Sequence, residues 1–254
     1  MPTLSVILIT RNESANIRAC LESVAFADEI IVVDSGSTDD TVAIARSMGA
    51  QVYEHDWPGF GPQKNRALNY ATCDWVFSID ADERVTPALR DEIQQALQRP
   101  AAAGYCVPRH SEFCGVFVRH CGWYPDYVLR LFERGRGRFL ERLVHECVAI
   151  DGVYAKLHTP LLHYSYRTRE DIERKVSAYS SAAAAQMFQA GKRANCTAGI
   201  LPACWTFVRT WLLQLGFLDG RTGWHIATMN LRTTWLKYRK LRALSHHEIR
   251  ARQS

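Results

Sequence analysis

The sequence predicts an α/β fold, a mixed sheet flanked by helices, with a helical C-terminal extension. Three observations carry this. Over the first hundred residues short apolar runs alternate with helical patterns, the order that a parallel sheet covered by helices requires. After Pro100 runs of period two or less replace that alternation and add further strands to the sheet. After Tyr166 the chain reads as helices. With 254 residues, 47% apolar and 22% charged, the chain has the size and composition of one α/β domain with an appendage, which excludes a disordered chain, a collagen-like rod and a coiled coil.

The elements follow in order. Leu4 to Thr10 is an unbroken apolar run, strand one, and Asn16 to Val24 has helical spacing. Glu29 to Val33 is strand two, Asp40 to Met48 a helix with Gly49 at its C′ position, and Gln51 to Glu54 strand three. Gly59 and Gly61 lead into a helix over Pro62 to Ala71, and Trp75 to Ile79 is strand four. Thr86 and Pro87 supply an N-cap and an N1 proline for the next helix. Tyr105 to Pro108, Val116 to His120 and Tyr127 to Phe132 are later strands, and Phe139 to Val144 is strand-like, after the flexible Arg134-Gly-Arg-Gly-Arg138. Thr168 and Asp171 have capping-box spacing ahead of a helix that runs to about Ala190, where Gly191 ends it. Ile200 to Leu218 carries Arg209 as its one charge. Pro202, Arg209 and Gln214 argue against a bilayer span and leave two readings, an interfacial helix anchored by Trp205 and Trp211 or a core helix under the sheet.

Charge is unevenly placed. From Arg221 to Ser254 eight Lys/Arg face one acid, Glu248, whereas residues 1 to 220 are close to neutral. Such an end attracts anionic surfaces, and with Trp205 and Trp211 beside it a phospholipid surface fits better than nucleic acid, for which no recognisable module is present. The alternative is a solvated basic helix. The start of the chain has no basic region and too short an apolar run for a signal peptide, which predicts a cytoplasmic protein, peripheral on the inner face of the membrane. Eight cysteines without a C-x-x-C pair are expected as reduced, mostly buried thiols. A metal site from Cys106, Cys114 and Cys121 with His110 or His120 matches no zinc spacing.

Chemistry concentrates where open α/β sheets place their ligands, at the C-terminal ends of the parallel strands. Strand one ends in Thr10-Arg-Asn-Glu13, strand two in Asp34-Ser-Gly-Ser-Thr-Asp39 and strand four in Asp80-Ala-Asp82-Glu83. Two carboxylates emerging together after a buried strand repel unless a cation neutralises them, and hard oxygen ligands suit Mg²⁺ or Mn²⁺. Lys64 and Asn65 open a helix whose dipole and ammonium can face a phosphate, or Lys64 is a surface lysine. Neither G-x-G-x-x-G after a strand nor a Walker loop is present.

The series Ser5-Val-Ile-Leu-Ile-Thr-x-Asn12-Glu13, Val-Val-Asp34-Ser-Gly-Ser-Thr-Asp39, Gly61-x-x-Lys64-Asn65 and Asp80-x-Asp82 resembles the nucleotide-sugar half of family 2 glycosyltransferases, which have the GT-A fold. Gly122-Trp-Tyr-Pro-Asp126, Leu129-Arg-Leu-Phe132, Val144-His-Glu146, His163-Tyr-Ser-Tyr166 and Phe217-Leu-Asp-Gly220 resemble the bacterial lipopolysaccharide-core enzymes of the WaaE/KdtX type, over nearly the whole chain. The resemblance implies a Rossmann-type nucleotide-binding sheet, with a catalytic domain over 1–166 (nucleotide-sugar half 1–100, acceptor half 101–166) and a helical region over 167–254. It implies that Thr10, Asn12 and Glu13 line the base and ribose pocket, that Asp34 and Asp39 hold the nucleoside, and that Asp80 lies near ribose, phosphate and metal. Asp82 would be the principal metal ligand, and Lys64 stands where many relatives have a donor-facing arginine.

The reaction implied is inverting transfer from a nucleoside diphosphate sugar, a UDP-sugar, to a hydroxyl of a lipid-linked saccharide, with Mg²⁺ or Mn²⁺. The usual Glu-Asp pair for the base is absent, which leaves Glu146 and Asp126, with Glu146 preferred; His145 and His163 are candidates to hold the diphosphate or metal. Two other readings are a nucleotidyltransferase, disfavoured by the acidic, glycine-free loop after strand one, and a non-catalytic membrane-associated scaffold, disfavoured by the intact Asp80, Asp82 and Glu146.

Overall fold

The computed structural model describes residues 2–140 and 147–253, with side chains as far as Ser245. The candidate residues His145 and Glu146 lie outside the described residues. The chain divides into two compact units, Met1–His110 with Pro125–Tyr164, and Ser111–Tyr124 with Ser165–Ser254. Ser111–Tyr124 therefore groups with the helices, and the division falls at 164/165 where the sequence suggested 166/167.

The first unit begins β1 (Leu4–Thr10), α1 (Ser14–Ser23), β2 (Glu29–Asp34), α2 (Thr41–Ser47), β3 (Gln51–Glu54), α3 (Phe60–Tyr70) and β4 (Trp75–Ser78). It continues through β5 (Glu83–Arg84), α4 (Pro87–Gln98) and β6 (Gly104–Phe113), whose last residues lead into β7 (Val116–Phe117) in the second unit. The chain returns as β8 (Asp126–Glu133), β9 (Gly137–Phe139), β10 (Val148–Ile150), β11 (Tyr154–Lys156) and β12 (Leu161–Tyr166). The main sheet has the order β3-β2-β1-β4-β8-β6-β12-β5, and β9 pairs separately with β10. β1 through β4 are parallel and β8 joins antiparallel to β4. Chain progress runs outward from β1 to β3 on one side and to β4 on the other, so the topological switch point lies between β1 and β4, at Thr10 and the turn after Ser78.

Both faces of this sheet are covered at β1, β2 and β4, which is why these strands read as continuous apolar runs. Alternate residues sort to the two sides. Val6, Leu8, Val32 and Phe77 pack with Ile17, Leu21, Leu89 and Ile93 of α1 and α4, while Ile7, Ile31, Val33 and Val76 pack with Ala67 and Ala71 at α3. Thr86 accepts from the Leu89 amide at 3.2 Å, with Pro87 beginning α4 as expected.

The second unit contains α5 (Arg169–Gln189), α6 (Ile200–Val208), a π-helical turn over Arg209–Leu213, a 3₁₀ turn over Gly216–Asp219 and α7 (Gly220–Gln253). The Thr168/Asp171 capping box forms as the spacing predicts. A single helix over 200–218 does not: Leu215 takes a left-handed conformation, φ 55°, and the chain folds back so that α6 lies antiparallel to α7, with Thr206 opposite Thr234 and Thr210 opposite Asn230. The fold-back needs glycine, because a Cβ on Gly223 would sit 1.8 Å from the Gly216 carbonyl oxygen. His120 donates its backbone N–H to Asp219 at 2.8 Å and sets its ring Nδ1 2.8 Å from the other carboxylate oxygen, tying the segment after β7 to the start of α7.

The segment is not a core helix either. Leu201 is 81% exposed, Leu213 64% and Trp205 58%, with Ile200, Leu212, Phe217 and Leu218 also open to solvent. Only Ala203, Thr210 and Gly216 turn fully inward. Trp211, expected as a second outward anchor, instead packs edge-on against Trp224 and Phe217. No helix among the described residues is long and apolar enough to cross a membrane. Cys20 and Cys121 are the buried cysteines, whereas Cys114, Cys147, Cys196 and Cys204 are exposed, so mostly buried thiols are not found; all eight are free.

Candidate active site

At the switch point the ends of β1 and β2 are joined through side chains. Thr10 and Asp34 are register partners, and the Thr10 hydroxyl donates to Asp34 Oδ2 at 2.8 Å. Ser37 gives Asp34 its amide and hydroxyl at 2.7 and 2.5 Å. Asp34 is thus wholly buried, with both oxygens committed to shaping the loop, rather than an open donor-facing carboxylate. Asp39 is similarly engaged: it accepts from the Ser14 and Thr41 amides and the Thr41 hydroxyl, bridging the starts of α1 and α2. The Thr41 hydrogen bond, helped by Ser14, holds its carboxyl down at about 2. Asn12, at φ 56°, accepts from the Thr38 amide at 2.8 Å and Glu13 accepts from Asn16 at 2.7 Å. Asn12 is exposed on this edge, whereas Thr10 is buried and acts through Asp34.

The turn after β4 carries the densest electrostatics. Asp80 Oδ1 is 2.9 Å from Lys64 Nζ and its Oδ2 2.7 Å from Arg130. The same Arg130 nitrogen lies 2.5 Å from Glu83, whose other oxygen accepts from the Asp80 amide at 2.9 Å. Arg109 stands 3.8 Å from Glu83 and gives two hydrogen bonds to Asp126, at 2.6 and 3.0 Å. Cations and carboxylates therefore alternate from Lys64 through Asp80, Arg130, Glu83 and Arg109 to Asp126. Burial disfavours ionisation of Asp80, but the charges of Arg130 and Lys64 outweigh it and hold the carboxyl well below the usual range. At Glu83 burial wins over Arg130 and pushes the carboxyl up, with Asp80 adding to the rise.

Three expectations change here. Lys64, expected to face a donor phosphate, is almost completely buried on Asp80. Asp80, expected among the metal ligands, has both oxygens occupied by cationic side chains, an unfavourable place for a metal ion. Asp126 carries a guanidinium on its carboxylate, so proton abstraction there requires that pair to open.

Asp82 is differently placed. β12 pairs antiparallel to β5 with His163 opposite Glu83, and the Tyr164 amide donates to the Asp82 carbonyl at 2.9 Å. That register brings His163 Nε2 to 3.4 Å from Asp82 Oδ2, with both side chains partly open. A carboxylate and an imidazole together fit a divalent cation. No cluster of three or more His, Cys, Asp or Glu suited to a metal occurs among the described residues; of these residues Asp82 and His163 are the two that could meet a cation here, with phosphate oxygens and water among the further ligands that such ions commonly take. The Cys106/Cys114/Cys121 alternative is absent on the same ground.

Arg130, Glu83 and Arg109 had no assigned duty in the sequence. The available signal was Arg130 itself, a charge at the centre of the apolar strand Tyr127 to Phe132, which is costly unless buried acids meet it.

The sheet order, with its acidic turn at the switch point and its helical C-terminal region, is that of the GT-A class. Residues 5–154 match the family described as Glycosyl transferase family 2, and the chain belongs to that family. It is 33% identical over 240 residues, 87% of each chain, to the lipopolysaccharide core biosynthesis glycosyltransferase LpsC of Rhizobium meliloti (strain 1021). An uncharacterized glycosyltransferase of Rickettsia prowazekii (strain Madrid E), RP128, is 30% identical over 258 residues, covering 96% of this chain and 88% of that one. Among solved structures, the mannosyltransferase PcManGT from Pyrobaculum calidifontis, in complex with GDP-Man and Mn²⁺, matches 94% of this chain and 87% of that chain with a TM-score of 0.56 at 18% identity, which supports the fold. Membership of a glycosyltransferase family sets aside the nucleotidyltransferase reading.

Proposed function

We propose that the protein is an inverting, cation-dependent transferase that moves a sugar from a nucleoside diphosphate sugar, a UDP-sugar, to a hydroxyl of a lipid-linked saccharide of the lipopolysaccharide-core kind, at the inner face of the cytoplasmic membrane. The observation that carries this reading is the Asp82–His163 pair at the switch point of a family 2 sheet. LpsC, by its name, supports the acceptor class. The exposed apolar ridge from Ile200 to Leu218 and the basic residues of α7 support work at a membrane surface.

Asp82 and His163 would hold Mg²⁺ or Mn²⁺, which when bound supplies positive charge against the departing diphosphate. The imidazole favours Mn²⁺ of the two, since Mg²⁺ prefers oxygen alone. Lys64 and Arg130 act one step back: by fixing Asp80 they fix the turn from which Asp82 projects. Asn12, exposed at the end of β1, is the donor-pocket residue best placed on the open edge, with Thr10, Glu13, Asp34 and Asp39 shaping the loops around it. The test is a screen of the purified chain against UDP-, GDP- and ADP-sugars with Mn²⁺, Mg²⁺ or excess chelator. One donor class is expected to be consumed with Mn²⁺ and spared in chelator; full turnover in chelator rejects the cation requirement.

For the base, Glu146 is preferred because Asp126 is already engaged by Arg109. Glu146→Gln keeps shape and removes basicity, so donor affinity should persist while transfer falls by roughly 10²-fold or more. Asp126→Asn should fall far less. If Asp126→Asn is the crippled variant and Glu146→Gln turns over normally, the roles are exchanged.

A further inference from the structure

The helical unit holds a cleft of ≈ 700 Å³ between the end of β6, the first turns of α5 and the first turns of α7. Its floor is apolar: Phe113, Ile172 and Met229 belong to the cluster packed around Val118, Cys121 and Ile226. Its walls are cationic. Arg169, Arg221, Arg232 and His225 line it against one carboxylate, Glu173. Arg232 and Glu173 meet fork to fork and neutralise each other. The side chains of Arg169, Arg221 and His225 make no hydrogen bond or close ion pair with the described residues, although, after the Arg232 hydrogen bond, the Arg169 charge helps hold the Glu173 carboxyl down. The start of α7, a 34-residue helix, lies at Arg221 and adds the positive end of its dipole.

Two uncommitted guanidinium groups above a hydrocarbon floor match a ligand that is part acid, part apolar, because the planar fork pairs with phosphate oxygens. The surroundings indicate which kind. Trp224, next to the lining residue His225 in the chain, is 49% exposed and meets Trp211 and Phe207 edge-on at 5.4 and 5.2 Å, so the exposed apolar ridge begins one residue from the cleft wall. Further along α7, Arg232, Trp235 and Arg239 follow at helical spacing on the exposed side, and the Arg239 guanidinium lies 4.7 Å over the Trp235 ring. Indole beside arginine is the side-chain pairing of a membrane interface. A soluble phosphate compound would satisfy the arginines but leave the floor and the ridge unused.

We propose that this cleft binds the phosphate of a lipid headgroup, with Arg169 and Arg221 as its ligands and Phe113, Ile172 and Met229 covered by the adjoining apolar part of the lipid. The proposal goes beyond sugar transfer, since it needs neither donor nor cation. It is tested by titration calorimetry of the full chain with dihexanoyl phosphatidic acid below its micellar concentration, with inorganic phosphate, and with dihexanoyl phosphatidylcholine. Phosphatidic acid is expected to bind at least about tenfold more tightly than either of the others, and Arg169→Gln/Arg221→Gln should weaken it by about tenfold or more with an unchanged melting temperature. Arg18→Gln/Arg99→Gln, two exposed arginines of the other unit, should bind as the parent does. Equal losses in the two double variants would show diffuse charge attraction and overturn the site, as would no binding of phosphatidic acid. Inorganic phosphate binding as tightly as the lipid overturns the lipid assignment and gives the arginines to a soluble phosphate. Asp82→Asn should bind phosphatidic acid normally, so failure of the cation reading and failure of the cleft are told apart.

Discussion

Asp82→Asn is expected to lower sugar transfer by about 10³-fold, the scale of losing one well-placed electrostatic contact, while the thermal midpoint barely moves. The side chain is partly exposed on a turn, and what the turn gives the fold is its backbone carbonyl, which accepts from the Tyr164 amide in the variant as in the parent. Asparagine keeps size and one oxygen and removes the charge that would attract a cation. His163→Ala removes the proposed second ligand and should cost less, about 10- to 100-fold, with partial recovery at high Mn²⁺ because Asp82 remains. Excess Mn²⁺ should not rescue Asp82→Asn. Rates measured across a Mn²⁺ series separate the two, and parental turnover by Asp82→Asn would remove the residue from the mechanism.

Three of the four parallel strands, β1, β2 and β4, were legible because both faces are buried, as with Leu4–Thr10; the edge strand Gln51–Glu54, only half-buried, also forms over the residues expected. Caps were legible because they are local, as with Thr86 and Thr168. What depends on pairing between distant segments was not. β6 runs on to Phe113 because β8 pairs with it as far as Arg109 and β7 with Glu112 and Phe113, neither of which its own composition announces. The expected strand Val116 to His120 shrinks to two residues, since β7 is only the return of that hairpin. The same limit applies to the site. Its acidic residues stand out in the sequence at the strand ends, but their duties are set by partners brought in by topology: Arg130, 50 positions beyond Asp80, arrives on antiparallel β8, and His163 reaches Asp82 through the β5–β12 register. Asp80 and Asp82 therefore look alike in sequence and differ in the structure, one neutralised by two cations and one set against an imidazole.

That division of labour makes Arg130 the residue whose loss should cost most stability. Arg130→Met fits the strand and removes the guanidinium, leaving Glu83 fully buried, with Arg109 at 3.8 Å as a cationic neighbour and Asp80 still on Lys64. Breaking a buried pair from one side costs about 3–5 kcal/mol, because the remaining charge is left in a poor solvent. Glu83 is already pushed up by burial with Arg130 present, so without it the carboxyl should keep its proton to higher pH. A carboxyl raised above its unfolded value favours the folded state below the unfolded value and loses that contribution as the pH rises through the folded one. The variant's deficit should therefore be smallest near about pH 4 to 5 and grow toward neutrality. Arg130→Met/Glu83→Gln removes the stranded charge and should recover most of the loss, with a flatter pH profile than Arg130→Met alone. Denaturant unfolding of the parent, the single and the double variant across that range measures both effects. A deficit independent of pH and unrelieved by Glu83→Gln would mean that Arg130 acts by packing alone.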